Sequence, residues 1–276
     1  MHRINANGAD MPCLGFGTWT LEGRRCSELV AHALDIGYRH VDTAASYGNE
    51  GAVGAGIRAS GIGRDEIFVT TKVWHTDLRA ADFRRSAEAS LDRLGLEHVD
   101  LLLIHWPSPS VPLAETIEAL DSAREDGLTR HIGVSNFPTA LLAEARRLSR
   151  APLACDQVEY HPKLDQKKVL AACRAAGMAM VSYCPLFRGR ALFGEPAITE
   201  AARNHRKTPA QVVLRWHVQQ EGVAAIPRSS NEDRIAENLD IFDFALSDAE
   251  MAAISALGSA NSRICDFGFS PRWDRP

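Results

Sequence analysis

Four residues stand out by type and spacing: Asp42 and Tyr47 in "HVDTAASYGNE", Lys72 in "VTTKVW" and His105 in "LLIHWP". A tyrosine with an ordinary pKa of about 10 holds its proton near neutrality and can donate it. As a general acid it needs that value lowered toward working pH, and a nearby Lys ammonium does this by favouring phenolate. A carboxylate beside the Lys keeps it charged and oriented. A histidine can hydrogen-bond a carbonyl oxygen and fix its approach. Together the four describe protonation of a carbonyl oxygen while something else, most simply a hydride, attacks its carbon.

That chemistry requires the four to meet, and the rest of the chain suggests how. Seven short runs, "RHVDTA", "IFVTTKVW", "VDLLLIHW", "HIGVSNF", "ACDQVEY", "AMVSYCP" and "VAAIPRS", carry apolar residues on both parities, as strands buried on both faces do. An eighth, "CLGFGTW" at 13–19, precedes them. Helix-length segments lie between, with 3.6-residue apolar spacing such as Leu29, Ala33 and Ile36 in "SELVAHALDIGY". Gly37, Gly95, Gly127 and Gly177 stand at their expected stops.

Lys72, His105 and Ser135 follow Asp42 at successive intervals of 30, 33 and 30 residues, the length of one βα unit. Eight such units close a parallel barrel, and the count and even spacing favour a (β/α)8 TIM barrel over an open doubly wound sheet. The opening "HRINANGADMP" predicts a β-hairpin ahead of the first barrel strand. No linker or low-complexity tract interrupts the pattern, so a single barrel domain over residues 1–276 is expected.

In such barrels the chemistry sits at the C-terminal strand ends. Asp42, Lys72 and His105 fall there, followed by Ser135 with Asn136, then Gln157, Tyr183, and Arg228 with Ser229. Any one polar strand end is as well explained by solvation. A whole series of chemically related ends argues for use.

Composition narrows the class. The 276 residues are 45% hydrophobic and 24% charged, an ordinary globular balance with ample material for a core. A net charge of −4 and a pI near 6.2 give no reason to expect nucleic acid or an anionic membrane as partner. The cysteines Cys13, Cys26, Cys155, Cys173, Cys184 and Cys265 show no paired spacing, so reduced thiols are expected. No basic-then-apolar leader opens the chain and no apolar run approaches ~18 residues, which predicts a soluble, cytoplasmic protein.

Other chemistries are disfavoured. No G-x-G-x-x-G joins a strand to a helix, and no G-x-x-x-x-G-K-[ST] is present. "GAVGAG" at 51–56 is read as close helix packing. A short-chain dehydrogenase would set Tyr and Lys four apart on one helix, unlike Tyr47 and Lys72. Metal-dependent hydrolysis would want clustered His and carboxylate ligands, whereas the ten histidines are dispersed, so no metal is expected. His75, His131 and His161 are taken as loop or pocket-rim residues, with "EYHP" marking a strand-to-loop boundary.

The contexts "DTAASYGNE", "TTKVW" and "LIHWP" resemble the tetrad of the aldo-keto reductase family. Three longer stretches, "GYRHVDTAASYGNEGAVG", "RHIGVSNF" and "IPRSSNEDRIAEN", match that family's recurring patterns, and the likeness runs from about Met11 to Asp248. The resemblance implies NADPH on a (β/α)8 barrel, with Tyr47 as general acid, Lys72 paired to Asp42, and His105 orienting the carbonyl. It further implies that Ser135, Asn136 and Gln157 hold the nicotinamide carboxamide, that Tyr183 stacks on the ring, and that Thr18 and Trp19 line the cofactor. Arg228, where the family more often has Lys, would hold the adenosine 2′-phosphate with Ser229 and Arg234. Two guanidiniums and a hydroxyl near a helix start suit phosphate. Glu237 and Asn238 would reach the adenine amino edge. Taken alone, "NEDRIAENL" also fits a solvated helix face.

An aromatic-lined cleft of Trp19, Tyr47, Trp74, His105 and Trp106 would receive a small carbonyl substrate. The short loop after "HWP" and the short tail resemble the bacterial 2,5-diketo-D-gluconate reductase branch. In that tail Phe267, Phe269 and Trp273 either close over substrate or anchor the terminus. The expectation is a monomeric NADPH-dependent reductase of small ketones, α-dicarbonyls or keto sugars. A cofactor-sensing or structural member of the fold, without turnover as its main role, is the alternative.

Overall fold

The Asn-Gly pair near the start does what its chemistry suggests. In the computed structural model, which describes residues 2–189 and 191–275, Asn7 and Gly8 take positive φ (+50° and +90°). They turn β1 (Arg3–Ala6) back onto β2 (Ala9–Pro12). The hairpin plugs the N-terminal end of the barrel. Asn7 donates to Leu153 O and Ala176 O, at 2.7 and 3.1 Å. Ala6, Ala9 and Met11 are buried against Phe68, Leu101, Ala154 and Ala179.

The barrel strands are β3 (Phe16–Gly17), β4 (His40–Asp42), β5 (Phe68–Val73), β6 (Val99–Ile104), β7 (Thr129–Ser135), β8 (Leu153–Glu159), β9 (Ala179–Tyr183) and β10 (Val223–Ala225). They pair in sequence order, all parallel. A parallel bridge between Leu14 and Ala225 closes the ring, with Gly15 N donating to Ala225 O at 2.9 Å. Every residue of β5, β6 and β8 is buried, which is why these segments lack polar–apolar alternation.

The outer layer comprises α1 (Gly23–Asp35), α2 (Glu50–Ala59), α3 (Ala80–Leu94), α4 (Leu113–Glu125), α5 (Thr139–Leu148), α6 (Lys167–Ala175), α7 (Pro196–His205), α8 (Pro209–Val218), α9 (Glu232–Leu239) and α10 (Asp248–Ala256). The stop glycines 37, 95, 127 and 177 all have positive φ. The glycines of α2 serve packing. A Cβ at Gly54 would lie 2.0 Å from Leu94 O, and one at Gly56 2.6 Å from Ser27 O. None of the described helices is long and apolar enough to cross a membrane.

Two histidines differ from expectation. His131 lies inside β7, opposite Leu101 of β6, because backbone pairing begins at polar Thr129, before the apolar run does. His161 does sit just past β8, but it is fully buried against Glu159, at 2.9 Å.

Candidate active site

Asp42 ends β4, and one 3-10 turn (Ala45–Tyr47) carries the chain back so that Tyr47 faces the same point. Lys72 is the fifth residue of β5 and is wholly buried. Its ammonium donates to Asp42 Oδ1 at 2.5 Å, Thr43 O at 2.8 Å and Tyr47 Oη at 3.4 Å. Those three acceptors match the three N–H donors of a lysine. Because Lys72 donates to Tyr47 Oη, the phenolic proton is left for another acceptor.

The electrostatics follow from burial and charge. Burial pulls the Lys72 pKa down, but Asp42 and Tyr47 outweigh it and the net direction is up, so Lys72 is charged. For Tyr47 burial raises the pKa and Lys72 opposes it. The net direction is up, which corrects the expectation that Lys72 draws the phenol down toward working pH. Desolvation outweighs the lysine, and the phenol stays protonated.

His105 follows β6 and is 8% exposed. Burial, then Lys72 and His75, hold its pKa well below 6.5, so the ring is neutral. Its Nδ1 meets Ser46 Oγ at 3.3 Å, and its ring stands 5.6 Å from that of Tyr47.

Asp42, Ser46, Tyr47 and His105 line a cleft of about 1310 Å³ at the C-terminal mouth of the barrel. Trp19, Trp74 and Trp106 also line it, together with Thr18. Asn136, Gln157 and Tyr183 line it as well. Asn136 takes φ +66°, and its side chain ties three strand ends. It donates to His105 O at 2.9 Å and to Ser135 Oγ at 3.0 Å, and it accepts from Tyr183 Oη at 2.7 Å. Gln157 donates to Asp42 Oδ2 at 2.7 Å. Lys72 and Ser135 stand behind this surface: Lys72 lies behind Tyr47, and Ser135 donates to Gln157 O at 2.7 Å.

The cleft extends to a second lobe at the start of α9, lined by Arg228, Ser229, Arg234, Glu237 and Asn238. Arg228 and Arg234 are exposed there. Arg228 also pins the loop after β3, through Trp19 O at 3.0 Å and Thr20 Oγ1 at 2.5 Å. Glu237 accepts from Thr208 Oγ1 at 2.6 Å. Two guanidiniums, a hydroxyl and a helix start suit a phosphate, and the flat face of Tyr183 suits an aromatic ring, so these residues fit a dinucleotide.

The sequence reading missed several residues. Ser46 reaches His105, and Arg188 sets its guanidinium over the Trp19 ring, 5.6 Å from its centre. Buried Glu159 holds the tail, accepting from Ile264 N and Cys265 N, both at 2.7 Å. The tail divides between its two expected roles. Phe267 lines the cleft beside Trp106, while Phe269 stacks on His75 at 4.2 Å and meets Trp74. Asp274 fixes the end by accepting from Thr139 N at 2.9 Å.

Known proteins resemble this chain in sequence and fold. Residues 13–259 match the Aldo/keto reductase family. A glyoxal reductase of Bacillus subtilis (strain 168) is 43% identical over 252 residues, covering 91% of this chain and 90% of that protein. Among solved structures, a provisionally assigned 2,5-diketo-D-gluconic acid reductase B is 48% identical with a TM-score of 0.97, covering 100% of this chain and 98% of that one. A Bombyx mori aldo-keto reductase solved with NADP is 34% identical with a TM-score of 0.89, covering 96% and 94% of the two chains. With the match spanning nearly the whole barrel, and the Asp42, Tyr47, Lys72 and His105 cluster at its mouth, this chain belongs to the aldo/keto reductase family.

Proposed function

We propose that the protein reduces a small ketone, α-dicarbonyl or keto sugar to the alcohol with NADPH. One observation carries this reading: a buried, charged Lys72 donates to Tyr47 Oη, leaving the phenolic proton for a carbonyl oxygen in an aromatic cleft. Tyr47 gives that proton to the substrate oxygen. Lys72 stabilises the phenolate that remains, and Asp42 keeps Lys72 charged and in place. With Ser46 donating to Nδ1, neutral His105 carries its proton on Nε2 and orients the carbonyl.

The bound nicotinamide supplies the hydride. Asn136 and Gln157, with Ser135 behind them, would hold its carboxamide, and Tyr183 would pack on the ring. Arg228, Ser229 and Arg234 would take the 2′-phosphate, and Glu237 and Asn238 the adenine edge. Support for dicarbonyl and keto-sugar substrates comes from the likeness to a glyoxal reductase and to a provisionally assigned 2,5-diketo-D-gluconic acid reductase B.

The test follows absorbance at the reduced-nicotinamide band with methylglyoxal and with 2,5-diketo-D-gluconate, using NADPH and then NADH. Tyr47→Phe should lower kcat by about 10²- to 10⁴-fold, the usual worth of a general acid, while NADPH affinity is kept. Normal turnover in that variant would sink the proton-donor role. NADPH binding without turnover of any carbonyl would favour the cofactor-sensing alternative.

A further inference from the structure

Asn49 stands at the N-cap of α2, where an asparagine side chain ordinarily accepts from the first amides of its own helix. Here it makes no such bond. The side chain is buried and spent on two loops instead. Its amide donates to Thr18 O at 2.8 Å and to Leu21 O at 2.9 Å, and its oxygen accepts from Thr43 Oγ1 at 2.9 Å. Carbonyls can only accept, so the NH2 must face them and the oxygen is left for the hydroxyl.

Those two carbonyls belong to the ends of a tight turn in the loop after β3. Leu21 N donates to Thr18 O at 3.0 Å, which closes Thr18, Trp19, Thr20 and Leu21 as a β-turn. Thr20, third in the turn, takes φ +65°. That is a left-handed conformation usually given to Gly or Asn, and a β-branched residue adopts it at a cost. Such backbone persists only where its surroundings over-determine it. Asn49 holds the carbonyls of the first and last residues, and Arg228 holds those of the middle two, at 3.0 and 3.4 Å. Trp19, second in the turn, lines the cleft but is half exposed, so core packing does not fix it.

We propose that Asn49 is a positioning residue that sets Trp19 at the substrate cleft by holding this strained turn. Its third bond ties the turn to Thr43, whose carbonyl is one of the three acceptors of Lys72. One buried amide thus links an aromatic side chain of the cleft to the group behind Tyr47. The effect on substrate rests on the proposed function. The hold on the turn does not.

The test incorporates fluorotryptophan and follows the Trp19 resonance, assigned by its absence in Trp19→Phe. In the wild-type protein it should be one narrow line despite the exposure of the ring. Several lines, or one broadened by exchange, would overturn the proposal without any change at Asn49. Asn49→Leu is close in size and removes all three bonds. The Trp19 line should then shift or broaden while the other four tryptophans keep theirs, and an unmoved line would overturn the proposal.

Kinetics with saturating NADPH supply the second readout. In Asn49→Leu the KM for methylglyoxal should rise about 10-fold, the worth of one to two net hydrogen bonds, with kcat kept within about 3-fold. The split is expected because Trp19 would meet substrate but not the transferred proton. A fall in kcat at unchanged KM would assign Asn49 to the Lys72 cluster and overturn its role at Trp19. A shifted Trp19 line, with no carbonyl turned over by the wild-type protein, supports the hold on the turn and counts against the proposed function alone.

Discussion

Gln157 donates its amide N–H to Asp42 Oδ2 at 2.7 Å, while Lys72 takes Oδ1. Both carboxylate oxygens are thus engaged, and a residue expected at the cofactor also braces the ion pair beneath Tyr47. Gln157→Leu would leave Oδ2 without a partner in a buried site, at a cost of about 1–3 kcal/mol. Gln157→Glu would set a second carboxylate against the first and lose more at pH 7, recovering part on acidification as one acid takes a proton. Urea unfolding without cofactor measures both. Wild-type stability in the two variants would confine Gln157 to cofactor binding.

Ser46 and His105 meet at 3.3 Å through Nδ1. In the proposed mechanism this hydroxyl donates to Nδ1, which leaves the ring proton on Nε2 for a carbonyl and makes Ser46 a positioning residue. Ser46→Ala should lower kcat by about 2- to 10-fold, the equivalent of one net hydrogen bond, with NADPH affinity unchanged. Ser46→Thr, which keeps the hydroxyl, should restore turnover. If Ala and Thr behave alike, the contact does not set the tautomer.

The barrel was legible because both-face burial leaves continuous apolar runs, and the Asn7–Gly8 turn because its backbone demands those residue types. Asp42, Tyr47, Lys72 and His105 were legible because charged or polar groups closing apolar strands need a reason. Ser46, Arg188 and Glu159 were not. Their meaning lies in partners remote in the chain, such as the tail amides at 264 and 265 that Glu159 holds. The net direction of the Tyr47 pKa was also out of reach, because it depends on how deeply the ring is buried.

Arg228 occupies a strand end facing the second lobe and also fastens the loop that carries Trp19. Its guanidinium would give charge-assisted bonds to a 2′-phosphate, each worth about 1.5–3 kcal/mol. Arg228→Ala should therefore weaken NADPH by about 10- to 100-fold. NADH lacks that phosphate and should weaken far less, through the loosened loop alone. Fluorescence titration with both cofactors decides it. Equal weakening would assign Arg228 to the loop and not to the phosphate.

Three buried histidines set the acid limb of stability. Burial lowers the pKa of His40, His105 and His217, the last to about 4. His217 faces two carbonyls, Val213 O and Tyr160 O, which favour its charged form, but burial outweighs them. A depressed folded-state pKa gives stability that is fully present above the unfolded value of 6.5 and is lost as pH falls through the folded value. For His217 that window runs from 6.5 to about 4 and is worth about 3 kcal/mol. Asp156 opposes the trend. Its burial-raised pKa makes the folded state hold a proton the unfolded chain releases, so its contribution grows as pH falls toward 3.8. Three histidines outnumber one acid, so net stability should decline between pH 6.5 and 4. Glu250, lowered from 4.5 to about 2, adds to the decline at the acid end of that range and below it. Urea midpoints measured from pH 4 to 8 should show the decline, and His217→Gln should make it shallower by about one proton. A flat profile, or an unchanged slope in that variant, would mean these rings are already charged in the fold.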